Sequence, residues 1–251
     1  MLPTPTTDHV PFTHIYEPAE DSYLLLDTFS SAPLTTLFRS LFPISLPSST
    51  SSSPSSPSPL ILEIGTGSGV VLAFLTAHAE TIFGREDVIS VGVDINEHAC
   101  RATRETVGVA VKETAAAAAA AGEAGTASGT YLGNSVGDLT SSVKSGSVDV
   151  LVFNPPYVPT PDVPILQDGD GDTTPPSDRE IAYARESRLL ELSYAGGRDG
   201  MEVTDRLLEE IPRVLSARGS AFLLLCAQNQ PEGVMGRSEE RRVGKECGSS
   251  V

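Results

Sequence analysis

The sequence predicts an α/β fold, a doubly wound and mostly parallel sheet covered by helices on both faces. Three observations carry this. Apolar runs of strand length recur at 60–64, 88–94, 130–133, 148–153 and 220–226. Helical patterns fall between them, and a glycine-rich loop joins the first run to the helix that follows. Strand and helix in alternation are the mark of a doubly wound sheet, and apolar runs with little polar interruption fit parallel strands buried on both sides.

In chain order, an amphipathic helix is expected over 22–29. The run PLIL then leads the first strand into Leu62-Glu63-Ile64-Gly65-Thr66-Gly67-Ser68-Gly69, and VVLAFLTAHA predicts a helix over 70–79. The second strand ends at Asp94 and is followed by a helix over 97–107. The run VDVLVF forms the fourth strand and leaves through Asn154-Pro155-Pro156-Tyr157. In a last helix over 201–215, Val203, Leu207, Leu208, Ile211 and Leu215 share one face, with Pro212 expected to kink it.

Two of these segments carry chemistry. Glycines let backbone approach a ligand closely and turn into a helix. The spacing here is G-x-G-x-G, and Glu63 just before it would repel a pyrophosphate but not a cationic cofactor. Asp94 at a strand end suits the two hydroxyls of a ribose. Together with N-P-P-Y these features indicate S-adenosyl-L-methionine. The tetrapeptide itself suits methylation of a planar nitrogen, whose delocalised lone pair is a poor nucleophile until its hydrogens are held by acceptors. Asn154 and a carbonyl of the prolines are the candidate acceptors on a rigid extended rim, and Tyr157 offers a flat face. Asn154, Pro155 and Tyr157 are the candidate catalytic residues, and Pro156 joins them in the substrate-binding set. As a structural alternative, Asn-Pro is also a common turn initiator.

The segments YEPAEDSYLLLD (16–27), LEIGTGSG, VDIN, LVFNPPY and AGGRDG (195–200) resemble the HemK-like protein-glutamine methyltransferases of eukaryotes over most of residues 12–230. The resemblance implies a Rossmann-like class I methyltransferase domain over 1–235. It implies that the YEPAED segment closes over the cofactor with Ser22 touching it. Glu63 and Gly65, with Gly67, would line the methionine end, Asp94 the ribose, and Asp138 with Leu139 the adenine, while Asn154 would hold the substrate amide. The implied substrate is the glutamine of the Gly-Gly-Gln motif in the eukaryotic class I release factor. The implied partner is a small zinc-binding methyltransferase activator subunit, and the implied location is cytoplasmic and also nuclear. The family's Trp before AGG is Tyr194 here. Lysine methylation of a histone tail is the rival within the family, and adenine-N6 DNA methylation is the rival that N-P-P-Y also serves. A catalytically dead binding subunit is the alternative of another class, against which the intact N-P-P-Y argues.

Composition narrows these readings. The 251 residues can bury one sizeable core, and a net charge of −16 opposes binding to phosphates, which draws on Lys and Arg. Three cysteines without metal spacing fit a reducing compartment. Four histidines without ligand spacing make a metal site unexpected. The start of the chain lacks a secretory pattern, and no apolar run approaches membrane-spanning length, so a soluble protein off the membrane is expected.

Three insertions interrupt the plan: a Ser/Pro tract (47–59), an Ala-rich stretch (112–129) and an acidic loop (160–180). The alanine run 115–121 reads either as a helix extension or as padding. Asp168, Asp170 and Asp172 have the spacing of a calcium loop, but Thr173 and Arg179 stand where Gly and Glu are needed. Residues 236–251 read as a non-native tail, with the last strands of the sheet expected to be missing.

Overall fold

A computed structural model describes residues 2–44, 56–122, 128–164 and 186–236. The calcium-loop aspartates, most of the acidic loop, and the tail beyond residue 236 lie outside them. The chain divides into two compact units, residues 1–154 with 213–222, and 155–212 with 223–251.

The first unit is built on a five-stranded sheet in the order β3-β2-β1-β4-β5. Its strands are β1 (Leu60–Ile64), β2 (Ile89–Asp94), β3 (Thr130–Val136), β4 (Val148–Phe153) and β5 (Leu215–Leu223). β1 runs parallel to both β2 and β4, and β2 runs parallel to β3. All six residues of β4 are buried, as a central strand with both faces covered requires. This is the doubly wound α/β architecture expected.

Helices α1 (Glu20–Ser30) and α2 (Ala32–Leu41) precede the sheet, and α3 (Val70–Ala77) and α4 (Ala79–Phe83) follow β1. Every residue of α3 is buried, which explains its apolar sequence on all sides. α5 (Glu97–Ala121) runs far past the expected end, because alanine has the highest helix propensity and the run stops only where Gly122 takes φ 69°. The alanine run is therefore a helix extension. α6 (Glu202–Val214) follows in the chain, with Pro212 in its last turn.

An aromatic cluster packs α1, α2, α4 and β5 together. Phe38, from α2, lies 4.6 Å from Phe83, 5.6 Å from Phe222 and 6.2 Å from Phe29 between ring centroids. Phe29, Phe38 and Phe83 are almost fully buried, each worth about 1.5–3 kcal/mol relative to exposure. The chain before α1 docks on α5: Val10 and Ile15 pack with Ala99 and Ala102. The Asn96 side chain donates to the His14 carbonyl (2.7 Å) and accepts from the His98 N–H, capping α5.

Candidate active site

In the first unit, the carboxyl ends of β1, β2 and β4 form the site. Ile64 is in register with Val93 on one side and Phe153 on the other, so the next residues, Asp94 and Asn154, flank the glycine loop at Gly65. Gly65, Gly67 and Gly69 all have positive φ. Gly69 is held most tightly, since a Cβ there would sit 2.5 Å from the Thr103 Cα, where α3 starts against α5.

Asp94 is buried. Its carboxylate accepts the N–H of Gly67 (2.9 Å) and of Asn96 (2.8 Å), tying the glycine loop to the start of α5. Burial raises its pKa, against which these backbone donors and the Thr66 hydroxyl act. The Gly137 N–H donates to the Asp94 carbonyl (3.0 Å), which brings the loop after β3 to the same place. There Asp138 is exposed, and Leu139 is buried with a left-handed φ of 47°, a strained conformation of the kind that gathers at functional sites.

Glu63 is also buried. The Leu72 backbone N–H favours its charged form, but Oε2 has no hydrogen-bond partner. Burial, with Asp94 nearby, raises its pKa well above 4.5. The native state thus keeps this proton to a higher pH than the unfolded chain, and stability falls as pH climbs from about 4.5 toward the raised value. Glu63→Gln should therefore melt like the wild type at about pH 4, below that window, and increasingly above the wild type as pH rises through it. An equal shift in Tm below and within the window would contradict the burial argument.

Asn154 completes the cluster. Its Nδ2 donates to Asp21 Oδ2 (3.0 Å) at the start of α1, and its buried Oδ1 has no partner. Asp21 Oδ1 accepts the backbone N–H (2.6 Å) and the hydroxyl (3.3 Å) of Ser22. Glu63, Gly65, Gly67, Asp94, Leu139, Asp138, Ser22 and Asn154 are thus all placed in or beside one cluster of strand ends and loops in this unit. Asp21 was missed: it stands in the YEPAED segment, but only the fold reveals that it orients the Asn154 amide.

Pro155, Pro156 and Tyr157 begin the second unit, where the AGGRDG loop holds them. Val158 donates to the Tyr194 carbonyl and accepts from the Gly196 N–H. A Cβ on Gly196 would lie 2.5 Å from the Pro156 carbonyl oxygen, and one on Gly200 would collide with that of Tyr157. AGGRDG is therefore a cradle for the backbone of Pro156, Tyr157 and Val158, and the Asn229 amide closes it by donating to the Asp199 and Gly200 carbonyls (3.4 Å each).

Among the described residues no three His, Cys, Asp or Glu side chains gather as metal ligands. No described helix is long and apolar enough to cross a membrane.

A parallel sheet with a glycine loop after β1, a buried acid ending β2 and N-P-P-Y leaving β4 defines a class I methyltransferase. No protein-family model matches the chain. It is 32% identical to the mouse (Mus musculus) protein "Methyltransferase HEMK2", covering 93% of this chain and 83% of that protein, and 29% identical to the human (Homo sapiens) one. The "eRF1 methyltransferase catalytic subunit mtq2" of Schizosaccharomyces pombe is 28% identical, with 98% and 93% covered. The chain belongs to the HEMK2 family of methyltransferases, the eukaryotic HemK-like group.

Proposed function

We propose that this protein transfers a methyl group from S-adenosylmethionine to the side-chain amide of a glutamine, that of the Gly-Gly-Gln motif in the class I translation release factor. The observation that carries the reading is Asn154, whose NH2 is anchored on Asp21 while its buried Oδ1 remains open to accept a hydrogen. The fission-yeast relative, named as a release-factor methyltransferase subunit, supports the same substrate.

The cofactor fits the residues present. A buried carboxylate oxygen of Glu63 with no partner suits a cationic group, and Asp94 keeps acceptor capacity for a ribose. Ser22, Gly65, Gly67, Asp138 and Leu139 would complete its surroundings. When bound, the cofactor supplies an electrophilic methyl on a sulfonium. The protein's own part is alignment. Asn154 Oδ1 accepts one N–H of the substrate amide and turns the nitrogen lone pair out of conjugation, and the Asp21 contact keeps Oδ1 facing the substrate. Pro155 and Pro156 are proposed to offer a carbonyl acceptor and Tyr157 a ring face. The acids at the site, Asp21, Glu63 and Asp94, suit neither a phosphate backbone nor the DNA reading.

Partner binding is proposed at β3. This strand is an edge of the sheet and exposes Leu132 (66%) and Val136 (61%), which suits strand addition by an activator subunit.

Asp94→Ala tests the cofactor assignment. Charge-assisted bonds to two hydroxyls are worth roughly 1.5–3 kcal/mol each, so calorimetric affinity should fall at least about tenfold. Unchanged affinity would refute it. Mass spectrometry of release factor after incubation should find methyl on glutamine, and methyl-adenine in duplex DNA instead would reverse the substrate.

A further inference from the structure

We infer that Asn134, on the outer strand of the sheet, is a positioning residue for Asp94 and acts through the hydroxyl of Thr66. Asn134 Nδ2 donates to Thr66 Oγ1 (2.9 Å), and the Thr103 hydroxyl, whose one proton is shared between that oxygen (2.8 Å) and the Ala99 carbonyl (2.8 Å), packs on its other side. Thr66 is thereby fixed beside Gly67, whose backbone N–H donates to the Asp94 carboxylate (2.9 Å).

The direction of the Asn134 amide is itself fixed. Tyr131 donates its hydroxyl to Asn134 Oδ1 (2.7 Å), so the NH2 faces Thr66. Burial pushes the Tyr131 pKa up to about 12, which keeps it a donor at neutral pH. The reverse orientation would remove the donor that holds Thr66, and with it the glycine loop, beside Asp94.

The bridge crosses β2, and β2 is cut to let it pass. Gly92 is in register with Asn134 on one side and Glu63 on the other. A Cβ at Gly92 would collide with the Asn134 side-chain oxygen and stand 2.6 Å from Thr66 Cγ2. A glycine inside a strand weakens it, and here it opens the route from β3 to the glycine loop.

The inference rests on the reading that Asp94 holds the cofactor, and the test separates the two. Cofactor affinity is measured by calorimetry for Asn134→Asp, Thr66→Val, the double variant, Tyr131→Phe and Asp94→Ala, with Tm recorded for each. Asn134→Asp and Thr66→Val should each weaken binding about tenfold, and the double variant no more than about twofold beyond the weaker single, because the two act as one unit. Tyr131→Phe should weaken binding roughly threefold with Tm nearly unchanged. A merely structural Asn134, or a charge acting through space, would give additive losses, and that result overturns the inference. If Asn134→Asp does not fold, unchanged affinity in Tyr131→Phe overturns it. Weakened binding in Asp94→Ala with unchanged binding in Asn134→Asp defeats this inference alone. Unchanged binding in Asp94→Ala defeats the cofactor reading and this inference with it.

Discussion

Asn154→Asp should fold, keep its cofactor affinity and turn over about 10²-fold more slowly, the scale on which misalignment of a reacting group is felt. The change is nearly isosteric, so the rim is undisturbed, but the donor to Asp21 is lost. Two carboxylates then face each other where an amide and a carboxylate stood 3.0 Å apart. Such a pair cannot comfortably ionise twice, and one member retains a proton to raised pH. That proton restores a neutral bridge. The deficit relative to wild type should therefore shrink as pH falls from about 8 to about 6, across the range in which a raised carboxyl pair regains its proton. Tyr157→Phe should lose far less, since the ring face is kept. Near-normal turnover in Asn154→Asp at high pH, with Tyr157→Phe inactive, would mean that the tyrosine hydroxyl carries the chemistry.

Arg218→Met should cost about 2–3 kcal/mol of stability, or roughly 5–10 °C in Tm, without touching the site. At the amino ends of the strands, Asp149 is buried and accepts from the Leu60 N–H (3.0 Å), the Ser216 hydroxyl (2.6 Å) and two nitrogens of Arg218 (2.9 and 3.1 Å). The guanidinium also lies over Phe42, 5.0 Å from its ring centroid. Removing it strands a buried carboxylate with its remaining donors. The double variant Asp149→Leu/Arg218→Met should be more stable than Arg218→Met, because a missing pair costs less than half a pair. A single variant within about 0.5 kcal/mol of wild type would show the pair to be incidental.

That same pair explains where the strand pattern misled. β1 and β4 begin and end where their apolar runs do, because every apolar residue there is buried except Leu60, which is half-buried. β5 was expected at 220–226 and lies at Leu215–Leu223. Its first half carries Ser216 and Arg218, polar residues that belong in a strand only because Asp149 awaits them. α2 was missed although Pro33 starts it and Leu34, Leu37, Phe38 and Leu41 follow helical spacing. The short α4 left no periodic trace. At the site, Glu63, Asp94 and Asn154 were legible because each ends or closes a strand beside a glycine or proline signal. Asp21, Thr66, Thr103 and Asn134 were not, because their roles exist only through contacts 37 to 133 residues away in the chain. Gly92 was the one local hint of the last three.

The Asp149 clasp also sets an order of events during synthesis. β4 is complete at Phe153, but the strand that covers its free edge and the arginine that neutralises Asp149 come only after residues 155–212 have been added. At roughly 5–20 residues per second, that interval lasts about 3–12 s on the ribosome. Throughout it the nascent first unit carries an open central strand and an unmatched acid. A charged, unmatched Asp149 would keep that end of β4 hydrated over this interval and so disfavour its pairing with another chain before β5 arrives.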